Sequence, residues 1–112
     1  MKYIQSFSIR PKSKQRPRMT KTGRTYTPKQ TVEFEQLVAN LYKGPFFNKD
    51  TLLRVGLKFS ANEIHLTITP IDATPSKLRG DIDNYAKSVL DALNGIAYAD
   101  DKQITILELE KL

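Results

Sequence analysis

Apolar residues recur with period two in three stretches of the chain and at helical spacing in two others. In residues 3–9, Tyr3, Phe7 and Ile9 alternate with Ile4, Ser6 and Ser8, and Pro11 closes the run, which predicts a strand. Leu53, Val55, Leu57 and Phe59 alternate with Arg54, Gly56 and Lys58, predicting a half-buried strand. Asn62-Glu63 marks a turn, and Ile64, Leu66 and Ile68 alternate with His65, Thr67 and Thr69 as the returning strand of a hairpin. His65, the sole histidine, sits on the polar side of that strand and has a structural reading. Between these strands, Phe34, Leu37, Val38, Leu41 and Tyr42 form a helical stripe. Thr27 is the expected N-cap, Pro28 the first helical residue and Gln30 the partner in a capping box, with Gly44-Pro45 as the stop. Glu33 and Glu35, early in this helix, suit its dipole. A second stripe, Ile82, Tyr85, Ala86, Val89, Leu90 and Leu93, predicts a helix that ends at Asn94-Gly95. Ile104-Thr105-Ile106-Leu107 reads as a final buried strand.

The order is strand, polar loop, helix, hairpin, helix, strand. It predicts an α+β fold: a mixed, mostly antiparallel sheet with two main helices packed on it. At 112 residues and 39% hydrophobic content the chain is expected to be a single small domain over residues 1–112, with a modest core that a homodimer interface would supplement. There is no cysteine, which excludes disulfides and thiolate-held zinc and suits a reducing cytosol. No apolar run approaches membrane-spanning length and the start does not read as a signal peptide, so no membrane partner is expected.

Charge changes the picture. The net charge is +6, yet residues 1–32 hold nine Lys and Arg and no acidic residue, while residues 33–112 hold nine basic and twelve acidic residues. A basic loop over residues 10–29, with Lys14, Arg16, Arg18 and Arg24, therefore points to a polyanion, most simply nucleic acid. Arginine forks match phosphate oxygens, and such contacts position DNA without reading sequence. Tyr26 beside Arg24 has two readings, stacking on an unpaired base and packing on the sheet, of which the second is expected. Residues 70–79 bring Lys77 and Arg79 next to the acidic stretch as a phosphate clamp.

Five of the twelve acidic residues cluster in residues 79–101. Asp81 and Asp83 point to one side only if the chain is still extended at Asp81, since i and i+2 lie about 200° apart on a helix. Asp83, Lys87 and Asp91, four residues apart, share one helix face, with Asp91 placed to pair with Lys87 or to support the site from behind. Asp100-Asp101 is either a turn or the source of a third ligand, and sequence leaves open which of the two faces inward. Carboxylates suit a hard cation such as Mg²⁺, and a lysine on the same rim suits phosphoryl chemistry. The competing reading is that the aspartates only cap and solvate a helix. An EF-hand is excluded, because Ala86 stands where that loop needs Gly and Ala92 where it needs Glu.

Residues 80–104, GDIDNYAKSVLDALNGIAYADDKQI, resemble the RusA family of Holliday junction resolvases of bacteria and their prophages. The shared pattern is Asp-x-Asp-Asn, Lys three residues after the Asn, Asp-Ala-Leu, and paired Asp before a hydrophobic run. Lys14 to Arg18 and Gly23 to Pro28 are similar to phage-type members. The resemblance implies a homodimer that cuts four-way or branched DNA with paired symmetric nicks, in recombination and repair. It implies Mg²⁺, with Mn²⁺ as a substitute and no other small-molecule cofactor. Asp81, Asp83 and Asp101 map to the metal ligands, with Asp100 the alternative to Asp101, and Lys87 maps to the catalytic lysine. It further implies a bacterial cytosolic or nucleoid location, host- or prophage-encoded. Family members usually continue into a further strand, whereas this chain ends at Leu112. Two other readings remain at this point: a nuclease of broader taste for branched DNA, and a DNA-binding protein without catalysis.

Overall fold

A computed structural model of the chain describes residues 1–14, 18, 19, 23, 25, 26 and 28–112, the side chains of 18, 19 and 26 excepted. Two compact units make it up, Met1–Asp72 and Ala73–Leu112. With a three-stranded antiparallel sheet and two helices, the architecture is α+β, as the element order predicts. Among the described residues no helix is long and apolar enough to cross a membrane.

In the first unit the sheet joins β1 (Tyr3–Phe7), β4 (Leu53–Phe59) and β5 (Ile64–Pro70), with β5 in the centre. The hairpin falls where the alternation places it, and the turn is closed by the Ser60 amide donating to the Glu63 carbonyl at 3.0 Å. Tyr3 lies opposite Ile68, Gln5 opposite Leu66 and Phe7 opposite Ile64; Val55 and Leu57 face Ile68 and Leu66 from the other side. One sheet face is thus apolar, interrupted by Gln5, and the other carries Ser6, His65, Thr67 and Thr69. Among the described residues Phe7 and Ile64, an opposed pair, are the buried hydrophobic side chains of the sheet, with Pro28 and Thr31 also buried. Full burial of each large side chain contributes about 1.5–3 kcal/mol.

The basic loop folds in part as a two-stranded ribbon, β2 (Arg18–Met19) against β3 (Thr25–Tyr26), in the register Arg18 to Tyr26. Helix α1 (Lys29–Leu41) begins one residue later than the capping box predicts. Pro28, not Thr27, holds the N-cap position, its carbonyl accepts from Thr31 and Val32, and among the described residues no side chain caps the end. Proline's fixed φ suits either position, so the dipeptide left the boundary ambiguous by one residue. Thr27 itself lies outside the described residues. The first turn then has no acidic residue; Glu33 and Glu35 pair instead with Lys29 at 3.7 Å and Lys14 at 3.4 Å. Gln5 joins β1 to the end of α1: its Nε2 donates to the Leu41 carbonyl at 2.7 Å and its Oε1 accepts from the Lys43 amide at 3.0 Å. The Tyr3 and Tyr42 rings meet edge to face with centroids 5.4 Å apart.

The second unit is built on α2 (Ile82–Leu93). Its apolar stripe, through Ile82, Tyr85 and Val89, lines a cavity of about 300 Å³ shared with Leu107 and Leu109 of the C-terminal segment. Here the structure departs from the sequence reading. Ile104–Leu107 is not a strand, and Ile106 and Leu107 are 80% and 52% exposed. A run of apolar residues satisfies either a strand or an extended tail laid along a helix, and period alone does not separate them. The tail is tethered instead by Lys111 Nζ to the Gly80 carbonyl (3.1 Å) and by Ser76 Oγ to the Leu112 carbonyl (2.6 Å). A 3-10 turn (Asp101–Gln103) occupies the approach to it.

Candidate active site

Asp81 is the N-cap residue of α2, with φ −73° and ψ 140°. The backbone is therefore extended at Asp81 and helical from Ile82, the transition that the spacing of Asp81, Asp83 and the apolar stripe requires. The Asp81 carbonyl accepts from the Asn84 and Tyr85 amides at 3.1 and 3.2 Å, but its carboxylate makes no capping bond. The helix start thus rests on backbone geometry and leaves that carboxylate free. Asp83 follows in the first turn, where a negative charge also suits the helix dipole. Asp81, Asp83 and Lys87 are all exposed.

The peptide before Asp81 is held on both sides. The Gly80 amide donates to the Tyr85 hydroxyl at 3.0 Å, and the Gly80 carbonyl accepts from Lys111. A Cβ at position 80 would meet the Tyr85 ring tip at 2.9 Å, so any larger residue would push the ring aside and disturb its hydrogen bond to the Gly80 amide. Sequence reading placed Tyr85 only in the apolar stripe and gave Lys111 no role. Nothing in their spacing signals the clasp, which depends on where the tail runs.

At the other end of α2, Asn94 is the C-cap and Gly95 takes φ 83°, the left-handed value that glycine adopts without a Cβ penalty. The Gly95 amide donates to the Tyr98 carbonyl at 2.7 Å and turns the chain back. The Tyr98 hydroxyl then donates to the Leu90 carbonyl at 2.6 Å. Desolvation, then the negative charges of Asp101 and Asp91, push the Tyr98 hydroxyl above its ordinary pKa. Tyr98 was not singled out from sequence, yet it ties the loop after α2 back to the helix through Leu90 and Gly95.

Asp100 and Asp101 have different surroundings. The Asp100 carboxylate accepts from the Lys102 amide at 2.9 Å, and Gln103 Oε1 accepts from the Asp100 amide at 3.0 Å, a capping box on the 3-10 turn. The Lys102 amide, a hydrogen bond with the Asp101 carboxyl and the Lys102 charge hold Asp100 below its ordinary pKa, against an opposing push from desolvation. That cap is intact at neutral pH and is lost only as pH falls through the lowered value. The turn reading of the pair is therefore realised by Asp100. Asp101 begins the turn.

The remaining residues are placed as follows. Lys87 and Asp91 share a helix face, but of the two roles open to Asp91 the ion pair with Lys87 does not form: the ion pairs among the described residues are those of Lys14 and Lys29. Exposed i,i+4 pairs contribute only about 0.3–0.5 kcal/mol, too little to fix two long side chains. Lys77 and Arg79 are exposed in the loop ahead of Asp81. Lys14 is tied to Glu35. Arg16 and Arg24 lie outside the described residues, as do the side chains of Arg18 and Tyr26. Oxygen donors are the right chemistry for Mg²⁺. Nevertheless, among the described residues no three His, Cys, Asp or Glu side chains gather closely enough to hold a metal ion. Asp81, Asp83 and Asp101 thus do not form a ready-made three-ligand cage in this conformation.

Comparison with known proteins adds one positive finding. A family model described as endodeoxyribonuclease RusA matches residues 8–112. Comparisons with curated proteins and with solved structures found no match.

Proposed function

The chain belongs to the endodeoxyribonuclease RusA family, and from that premise we propose that it is a structure-selective endonuclease that resolves four-way DNA junctions. The family match over residues 8–112 carries this reading. The extended backbone at Asp81, with a carboxylate unused by the helix cap, supports it. On this proposal Asp81, Asp83 and Asp101 are the metal ligands. Asp101 is preferred to Asp100, whose carboxylate is engaged by the Lys102 amide. Mg²⁺ is the proposed cofactor, with Mn²⁺ able to replace it; bound, it would offset charge on the phosphate. Lys87 adds positive charge on the rim beside Asp83 and stabilises the transition state. Lys77 and Arg79, with the basic loop, hold backbone phosphates. Asp91, one turn beyond Lys87 on the same helix face, supports the site from behind. The working form is a homodimer in the bacterial cytosol, since two opposed cuts need two sites.

The three carboxylates are not gathered in this conformation, and that observation favours a second reading, a DNA-binding protein without catalysis. Both readings predict DNA binding, so the substrate comparison must be made on cleavage. Equal concentrations of a four-way junction, a flap and a linear duplex are incubated with the protein and Mg²⁺. The expected result is rapid cutting of the junction and little of the duplex. Equal cutting of flap and junction would replace resolution with a broader branched-DNA activity. No cutting of any substrate, with binding intact, would establish the non-catalytic reading.

A further inference from the structure

The three strands of the sheet carry no Asp or Glu. Their charged residues are Arg54 and Lys58, both on β4 and both exposed. The register places them on the same face as Ser6, His65, Thr67 and Thr69. Ser6 and Lys58 flank His65 across the three strands, and Arg54 lies opposite Thr69. Between these rows, Thr67 is flanked by Ile4 and by Gly56, where a side chain is missing. Ser6 Oγ and His65 Nδ1 lie 2.9 Å apart, which fixes the imidazole and leaves its other nitrogen for a ligand. Helix α1 bonds instead to Gln5, which belongs to the opposite, apolar face.

We propose that this sheet face, through Arg54, Lys58, His65 and the flanking hydroxyls, is a second DNA-contacting surface that holds the sugar–phosphate backbone of a duplex arm. The proposal rests on the branched-DNA reading and adds a binding surface to it. Charge complementarity identifies the occupant: two cations, several hydroxyl donors and no carboxylate suit a polyanion. Arg54 and Lys58 are four residues apart on one strand, so their Cα atoms lie about 13 Å apart. That spacing spreads the two charges along a backbone instead of focusing them on one phosphate. Serine and threonine hydroxyls donate readily to phosphate oxygens, and such contacts carry no sequence information. The gap at Gly56 lets a backbone lie close to the sheet between the two cations.

The test is the salt dependence of binding for the double variant Arg54→Gln/Lys58→Gln. Fluorescently labelled four-way junction and linear duplex are each titrated without Mg²⁺ at several salt concentrations, and cleavage by the unaltered protein is measured in parallel. Each lost phosphate contact lowers the log–log slope by about 0.9, so a fall of about 1.8 is expected for both DNAs, with affinity reduced roughly tenfold or more at 0.1 M salt. Circular dichroism of the variant confirms that the exposed substitutions leave the fold intact, and each single variant should give half the change in slope. An unchanged slope, with the unaltered protein cutting junctions, overturns this surface alone. A change confined to the junction overturns the duplex-arm assignment. If the unaltered protein neither binds nor cuts DNA, the functional reading fails and this surface falls with it.

Discussion

Asp81→Asn and Asp83→Asn are each expected to reduce junction cleavage to background while leaving junction binding intact or tighter. Asn is nearly isosteric with Asp and caps helices about as well, so α2 should form normally in either variant. At Asp81 the argument is stronger, because its carboxylate makes no capping bond in the first place. What the change removes is negative charge that a cation needs and that a phosphate backbone repels. Loss of cleavage with retained binding therefore assigns these carboxylates to chemistry. Full cleavage by both variants would leave them as a solvated helix start, as the competing reading holds. Asp101→Asn is expected to behave like them. The Asp100 carboxylate is already engaged by the Lys102 amide, so Asp100→Asn should retain most activity.

Lys87→Ala is expected to lower the maximal rate about 10²–10³-fold with little change in junction affinity, the scale seen when one transition-state donor is removed. Lys87 is exposed and takes part in neither of the ion pairs found among the described residues, so its removal strands no carboxylate. Alanine also favours the helix that carries it. Single-turnover rates at saturating protein, measured beside equilibrium binding, separate the two effects. A loss of affinity with an unchanged rate would make Lys87 one more phosphate contact.

Much of this site is legible in sequence because it depends on local chemistry. The alternation of Leu53, Val55, Leu57 and Phe59 places β4 where it is found, and the stripe from Ile82 to Leu93 fixes α2. Asp81 and Asp83 demand an extended residue just ahead of that helix, and Asp81 has the predicted backbone. The misses are those in which one pattern serves two structures. Ile104–Leu107 has the composition of a buried strand, but it leads into a tail whose Leu107 and Leu109 line the groove beside α2. Thr27 and Gln30 fit a capping box, yet Pro28 takes the N-cap. Lys87 and Asp91 have ion-pair spacing, but spacing permits an exposed pair without enforcing it. The engagement of Asp100 by the Lys102 amide turns on how the 3-10 turn folds, and the clasp of Gly80 by Tyr85 and Lys111 turns on the path of the tail. Neither leaves a mark in residue spacing. Sequence also could not say whether Asp81, Asp83 and Asp101 converge, and no cage of three such side chains is gathered among the described residues.

The central claim is that this acidic loop and helix make the chain a metal-dependent, dimeric junction endonuclease. It is tested most directly by mapping cuts on a four-way junction labelled on each strand in turn, with Mg²⁺ and with chelator. The account predicts two nicks at symmetrically related positions on opposite strands, present with Mg²⁺, restored by Mn²⁺ and absent in chelator. Cleavage that persists in chelator would contradict the metal assignment of Asp81, Asp83 and Asp101. A single nick or scattered, unpaired nicks would contradict the paired sites of a dimer. An uncut junction, fully bound in Mg²⁺, would contradict the enzyme itself.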